Sequence, residues 1–186
     1  SLISTKMKQK ITQKIKIPEG ASCVSENQIL VCKKNSNTIE KKLHAPKINL
    51  SVHNNEIVIE CEKGNKSDYK KITSFVAHIK NIFAGLEEKY VYQLEAVNVH
   101  FPMTLKKEGN ELLINNFLGE KKPRKARILP NVEVELKGQK ITISSSNREL
   151  AGQTAANFER ATKVRGRDRR IFQDGIFITS KPGRKI

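Results

Sequence analysis

The chain has 186 residues, with 35 lysines and arginines against 19 aspartates and glutamates, a formal charge of +16 and 37% hydrophobic residues. That length suffices for one large core or two small ones. The charge exceeds what solubility needs and draws polyanions, nucleic acid first and an anionic membrane second. No apolar run approaches the roughly 20 residues of a spanning helix, and the start lacks the apolar core of a secretory signal, which argues against membrane insertion.

Residues 1–10 are polar and basic and read as a flexible arm. Residues 11–17 then alternate as a strand, and Pro18, Glu19 and Gly20 turn the chain. Residues 28–33 form a short apolar strand, 35–37 turn, and 38–44 alternate weakly. Ile48, Leu50 and Val52 share a sheet face that Ile57 and Ile59 resume after the turn at His53, Asn54 and Asn55. Residues 63–66 read as a polar loop. Ile72, Phe75, Val76, Ile79, Ile82, Phe83 and Leu86 then recur at helical spacing, the apolar stripe of an amphipathic helix. Burying each such side chain stabilises by about 1.5–3 kcal/mol before the entropy of ordering it is subtracted. Cys23, Cys32 and Cys61 form no C-x-x-C and leave one cysteine over in any disulfide scheme, so they are expected as small buried thiols.

The second half repeats the plan. I-N-L-S-V-H-N-N-E-I-V-I-E (48–60) aligns without gaps on V-E-V-E-L-K-G-Q-K-I-T-I-S (132–144). I-K-I-P (15–18) matches V-H-F-P (99–102), and N-Q-I-L-V (27–31) matches N-E-L-L-I (110–114), all near one offset of about 84 residues. Three correspondences in register imply an internal duplication. The expected fold is α+β, two tandem modules, each a small antiparallel sheet packed on one helix. The first covers 11–89 and the second 90–179, followed by a basic tail over 180–186.

The second helix is expected to start at Ser146, three residues before Glu149 as in a capping box. It carries Leu150, Thr154, Phe158, Ala161 and Val164 on its buried stripe, with Gln153, Asn157 and Arg160 on a wetter face, and Gly166 ends it. Lys163, Arg165, Arg167, Arg169 and Arg170 then crowd into eight residues opposed by Asp168 alone. Such a run repels itself unless a polyanion relieves it, so the loop reads as a phosphate grip, with a solvated basic turn as the lesser alternative. All nine arginines lie in 124–184, and arginine, unlike lysine, pairs bidentately with phosphate and stacks on bases. Residues 116–127 are a second cationic segment. Spacing leaves open whether it is a basic loop beside nucleic acid or an edge strand guarded by lysines. Asp174 and Gly175 read as a turn before the last strand, 176–179. No catalytic motif is found, and His44, His53, His78 and His100 are scattered without metal-ligand spacing.

H-F-P-M-T (100–104), N-N-F-L-G-E-K (115–121), G-Q-T-A-A-N (152–157) and R-G-R-D-R-R-I-F-Q-D-G-I-F (165–177) resemble the family of large-subunit ribosomal protein six, in its archaeal and eukaryotic branch. A-H-I-K-N-I (77–82) and G-L-E-E-K-Y (85–90) resemble that family's first helix and its exit. The resemblance implies two tandem copies of a sheet-and-helix module. It implies a structural protein of the cytoplasmic ribosome that binds large-subunit rRNA mainly through the second module. The site lies near the stalk base and the sarcin–ricin region, beside neighbouring ribosomal proteins and where translational GTPases dock. It further implies rRNA contacts at Gln153, Asn157 and Arg160 of the helix, at Lys163, Arg165, Arg167, Arg169 and Arg170 of the loop, and at Lys121, Lys122 and Arg124. No catalytic group, metal, cofactor, small-molecule substrate or membrane is implied. At Lys33, Lys34, Asn35, Ser36 and Asn37 the chain departs from the family's Gly/Pro-containing basic turn, so no RNA contact is carried onto that turn. Two further classes fit the charge alone: a non-ribosomal RNA-binding module or RNA chaperone, and a scaffold whose basic loop faces an acidic protein.

Overall fold

The computed structural model describes residues 9–26, 28–35 and 37–186. Of the arm expected over 1–10, residues 1–8 lie outside the described residues, and Gln9 and Lys10 already belong to the first strand. The chain divides into two compact units, Ser1–Glu88 and Lys89–Ile186.

In the first unit, β1 (Gln9–Lys16) pairs antiparallel with β6 (Glu56–Gly64), which pairs with β5 (Asn49–His53). A second sheet joins β2 (Ala21–Glu26), β3 (Ile29–Lys34) and β4 (Asn37–Lys42). Helix α1 (Lys66–Glu87) buries Ile72, Ile79, Ile82, Phe83 and Leu86 in one core with Leu30, Ile57 and Ile59. The polar loop expected over 63–66 shrinks to Asn65. Its side chain accepts from the Asp68 amide while Asp68 accepts from the Asn65 amide, a reciprocal cap that starts the helix at once.

The second unit repeats this order. β7 (Tyr90–Val97) pairs with β12 (Lys140–Ser145), which pairs with β11 (Glu133–Lys137). β8 (Thr104–Glu108), β9 (Glu111–Asn115) and β10 (Arg124–Arg127) form the smaller sheet. α2 (Arg148–Ala161) buries Ala151, Thr154, Ala155 and Phe158 against Leu94, Leu112, Ile114, Ile141 and Ile143. β5 and β11 begin at Asn49 and Glu133, β6 and β12 at Glu56 and Lys140, so both pairs keep the offset of 84. The fold is thus the α+β duplication expected, with two small sheets per unit rather than one.

Four expectations are corrected. β2 was not foreseen, because its inward positions are the small Ala21, Cys23 and Ser25 while the apolar Val24 is 55% exposed. Its register sets Cys23 opposite Cys32, and the two form a cross-strand disulfide instead of two thiols; Cys61 alone stays free and buried. The cap of α2 is Asn147, whose side chain accepts from the Glu149 and Leu150 amides, while the Ser145 hydroxyl accepts from the Asn147 amide. Lastly, the tail folds back: β13 (Gly175–Lys181) and β14 (Arg184–Lys185) pair around Pro182 and Gly183.

Candidate nucleic-acid interface

α2 ends at Ala161, earlier than Gly166. Thr162, at its cap, is buried; its hydroxyl lies within hydrogen-bond reach of the Phe158 and Glu159 carbonyls and accepts from the Ile176 amide at 2.8 Å. Glu159 accepts from the Ile178 amide at 2.9 Å. The outward amides of β13, whose other edge pairs with β7, are therefore held by side chains of α2. Between Thr162 and Ile176 the chain makes an excursion carrying the dense cations. Buried Val164 anchors its start, and Gly166 turns it at φ +67° in open space.

The five loop cations are not equivalent. Arg170 donates to both carboxylate oxygens of Asp168, whose carboxyl is held below its ordinary range by that side chain and by the Arg170 amide. Arg167 places its guanidinium 4.8 Å from the Phe172 ring centre. Lys163, Arg165 and Arg169 are exposed, with no side-chain ion pair among the described residues. Loop cations and the α2 face border an open depression of about 870 Å³, rimmed by Arg160, Lys163, Arg169 and Arg170.

The other sequence-predicted residues divide. Gln153 and Arg160 are exposed on α2, as their face implied. Asn157 is committed within the protein: it donates to the Arg127 carbonyl and accepts from the Gln153 amide. Lys121 and Lys122 are exposed in the bend before β10, which is an edge strand, so the loop and edge readings of that segment describe adjacent pieces of chain. Arg124 points inward. It donates to both Glu120 oxygens and to the carbonyls of Ala161 (2.9 Å) and Lys163 (3.3 Å), and lies 4.3 Å from the Phe117 ring centre. Its hydrogen bonds hold Glu120 below the ordinary glutamate range. Cationic charge at the negative end of a helix dipole is favourable, so this arginine secures the point where the loop leaves α2.

Sequence reasoning missed Asp174. Read as a turn residue, it is 3% exposed and accepts from the amides of Val99 and His100 and from His100 Nδ1 at 2.9 Å. Burial pushes its carboxyl up, but the His100 side chain and the two amides outweigh this and leave it below its ordinary value. His100 in turn stacks on Phe172 at 4.7 Å, the ring that bears Arg167. His100 and Asp174 lie 74 residues apart, and no local pattern joins them. Asn116 donates to the Pro102 carbonyl, and the Phe101 ring lies over Gly119. Segments 100–104, 115–121 and 165–177 thereby converge on the end of α2. Among the described residues no three His, Cys, Asp or Glu side chains gather as a metal ion requires, and no helix is long and apolar enough to cross a membrane.

The profile of the family described as Ribosomal protein L6 matches residues 101–175, a stretch that takes in nearly all of these segments. Curated proteins named large ribosomal subunit protein uL6 are similar over nearly the whole chain. That of Methanosarcina mazei is 41% identical over 175 residues, covering 94% of this chain and 99% of the relative. That of Methanococcus vannielii is 38% identical, covering 95% and 97%, and that of Methanobrevibacter smithii 38%, covering 92% and 96%. With identity of this order over alignments that span nearly the whole chain, the chain belongs to the uL6 family of large ribosomal subunit proteins.

Proposed function

We propose that the chain is a structural, non-catalytic constituent of the large subunit of the cytoplasmic ribosome. It binds large-subunit rRNA mainly through the second unit, near the stalk base and the sarcin–ricin region, beside neighbouring ribosomal proteins and the docking ground of translational GTPases. The names of the relatives support the coarse statement. The observation that carries the finer one is a cationic excursion fixed at both ends by the fold, with Lys163, Arg165 and Arg169 exposed and, among the described residues, without a side-chain ion pair. Arginine contacts to phosphate position the protein, and the shape of folded RNA supplies much of the specificity. Gln153, Arg160, Lys121 and Lys122 extend the contact, Asn157 contributes what its internal bonds leave free, and Arg124 supports the site from behind.

Co-sedimentation with large subunits on sucrose gradients, and binding of rRNA across a salt series, test this reading. If four to six phosphates are neutralised, the log–log salt slope is about −3 to −5. Charge-removing changes at Arg165 and Arg169 should flatten it, whereas equal changes at Lys10 and Lys14 should not. A flat titration for the unaltered protein would reject rRNA binding. Equal losses from both sets would reject this site, and equal affinity for unrelated RNAs would favour a general RNA chaperone.

A further inference from the structure

The depression at the end of α2 has a feature that phosphate binding alone does not call for. Its rim is basic, yet the apolar Val164, Phe172, Ile176 and Phe177 stand among its lining beside the polar Thr162 and Gln173. Along β13, Ile176 is 1% exposed in the core, while Phe177, the next residue, stands 43% exposed. Phe177 is also positioned: a Cβ on Gly175, whose φ is +154°, would lie 3.3 Å from the Phe177 ring and 3.3 Å from the Thr162 carbonyl oxygen. Only glycine there lets the ring lie back over the backbone. Two carboxylates also border the space, Glu159 and Asp174, each accepting from a backbone amide, and the cations Arg160, Lys163, Arg169 and Arg170 outnumber them.

A duplex of A-form RNA offers phosphates and 2′-hydroxyls and makes no use of an exposed aromatic ring; an unstacked base does. We propose that this depression receives the base of one unpaired ribonucleotide, which stacks on Phe177 while Arg160, Lys163 and Arg169 hold the flanking phosphates. The proposal rests on the rRNA-binding reading above and adds a specific subsite to it. The cationic rim selects a nucleic acid over an apolar peptide as the occupant. Base–aromatic stacking tolerates any base, so the subsite selects for an unpaired position rather than a sequence.

The test uses the full chain and full-length large-subunit rRNA, with Phe177→Leu, Phe177→Ala and Phe177→Tyr, each checked for an unchanged thermal transition. Loss of the aromatic face in F177L and F177A should weaken binding about tenfold and leave the salt slope at its unaltered value, because no phosphate contact is lost. F177Y should bind within about twofold of the unaltered protein. A photo-crosslinker, p-benzoylphenylalanine, at position 177 should map to an unpaired nucleotide in assembled subunits. If the unaltered protein binds steeply with salt but F177L binds equally well, or F177Y is as weak as F177L, the subsite is refuted while rRNA binding stands. A crosslink to duplex RNA or to a protein refutes it as well. A flat salt titration of the unaltered protein removes both readings together. If F177L and F177A shift the thermal transition, the crosslink alone decides.

Discussion

At Arg124 the guanidinium is used in two directions, toward the Glu120 carboxylate and toward the Ala161 and Lys163 carbonyls at the end of α2. Hydrogen bonds to a charged group are worth about 1.5–3 kcal/mol net, so Arg124→Ala should lower unfolding free energy by an amount of that order in urea titration. Its salt slope for rRNA binding should stay unchanged, since the guanidinium is already engaged within the protein; a slope flattened as much as by Arg165→Gln would show the opposite. Arg124→Lys should not restore stability, because an ammonium cannot reproduce the planar fork. Asp174 gives a pH signature. Its carboxyl is held below the ordinary value of 3.8, so ionised Asp174 contributes stability that is fully present above that pH. The contribution is lost as pH falls through the depressed value. Asp174→Asn should be less stable at pH 7 and show a smaller further loss between about pH 4 and 2; parallel curves for the two proteins would contradict the assignment.

The elements place their boundaries through side chains that a sequence offers ambiguously. Ser146 and Asn147 are both good helix caps, and capping-box spacing favours the first; the structure uses the second because Asn147 Oδ1 reaches both Glu149 and Leu150. Asn147→Ala should therefore cost about 1 kcal/mol of stability, and Ser146→Ala within a few tenths of nothing, measured by thermal unfolding. Periodicity made both helices and most strands legible, since helical spacing puts Ile72 and Ile79 on the buried stripe of α1, and Thr154 and Phe158 on that of α2. β2 escaped because small residues face inward there and Val24 faces out, inverting the usual alternation. The loop cations were legible as a local excess of charge. What was not legible is the division among them: Arg124 sits among Lys121, Lys122 and Lys125 with nothing to distinguish it, because its partners are backbone carbonyls 37 and 39 residues away. The pairing of His100 with Asp174 is hidden for the same reason.

Over the whole molecule, the two units have separate cores, one around Ile57, Ile72 and Ile79 and one around Leu94, Ile143 and Phe158. A fragment holding Lys89–Ile186 should fold cooperatively alone and bind large-subunit rRNA with nearly the salt slope of the full chain; a fragment that stays unfolded, or binds with half that slope, would tie the interface to both units. The nine arginines all fall in this half, which places every guanidinium of the chain on one body with its own core. The hydrogen bond from Ile176 to the Thr162 hydroxyl bears on how that body would meet the RNA proposed for it. It draws the two feet of the intervening strip together, so the strip leaves and re-enters the fold through one narrow neck. Closing such a ring costs entropy that grows only slowly with its length, and here the cost is met during folding, before any encounter. Docking then has little ordering left to do. A residue added to or taken from the strip would resize the ring while leaving the helix and the strand beneath it in place.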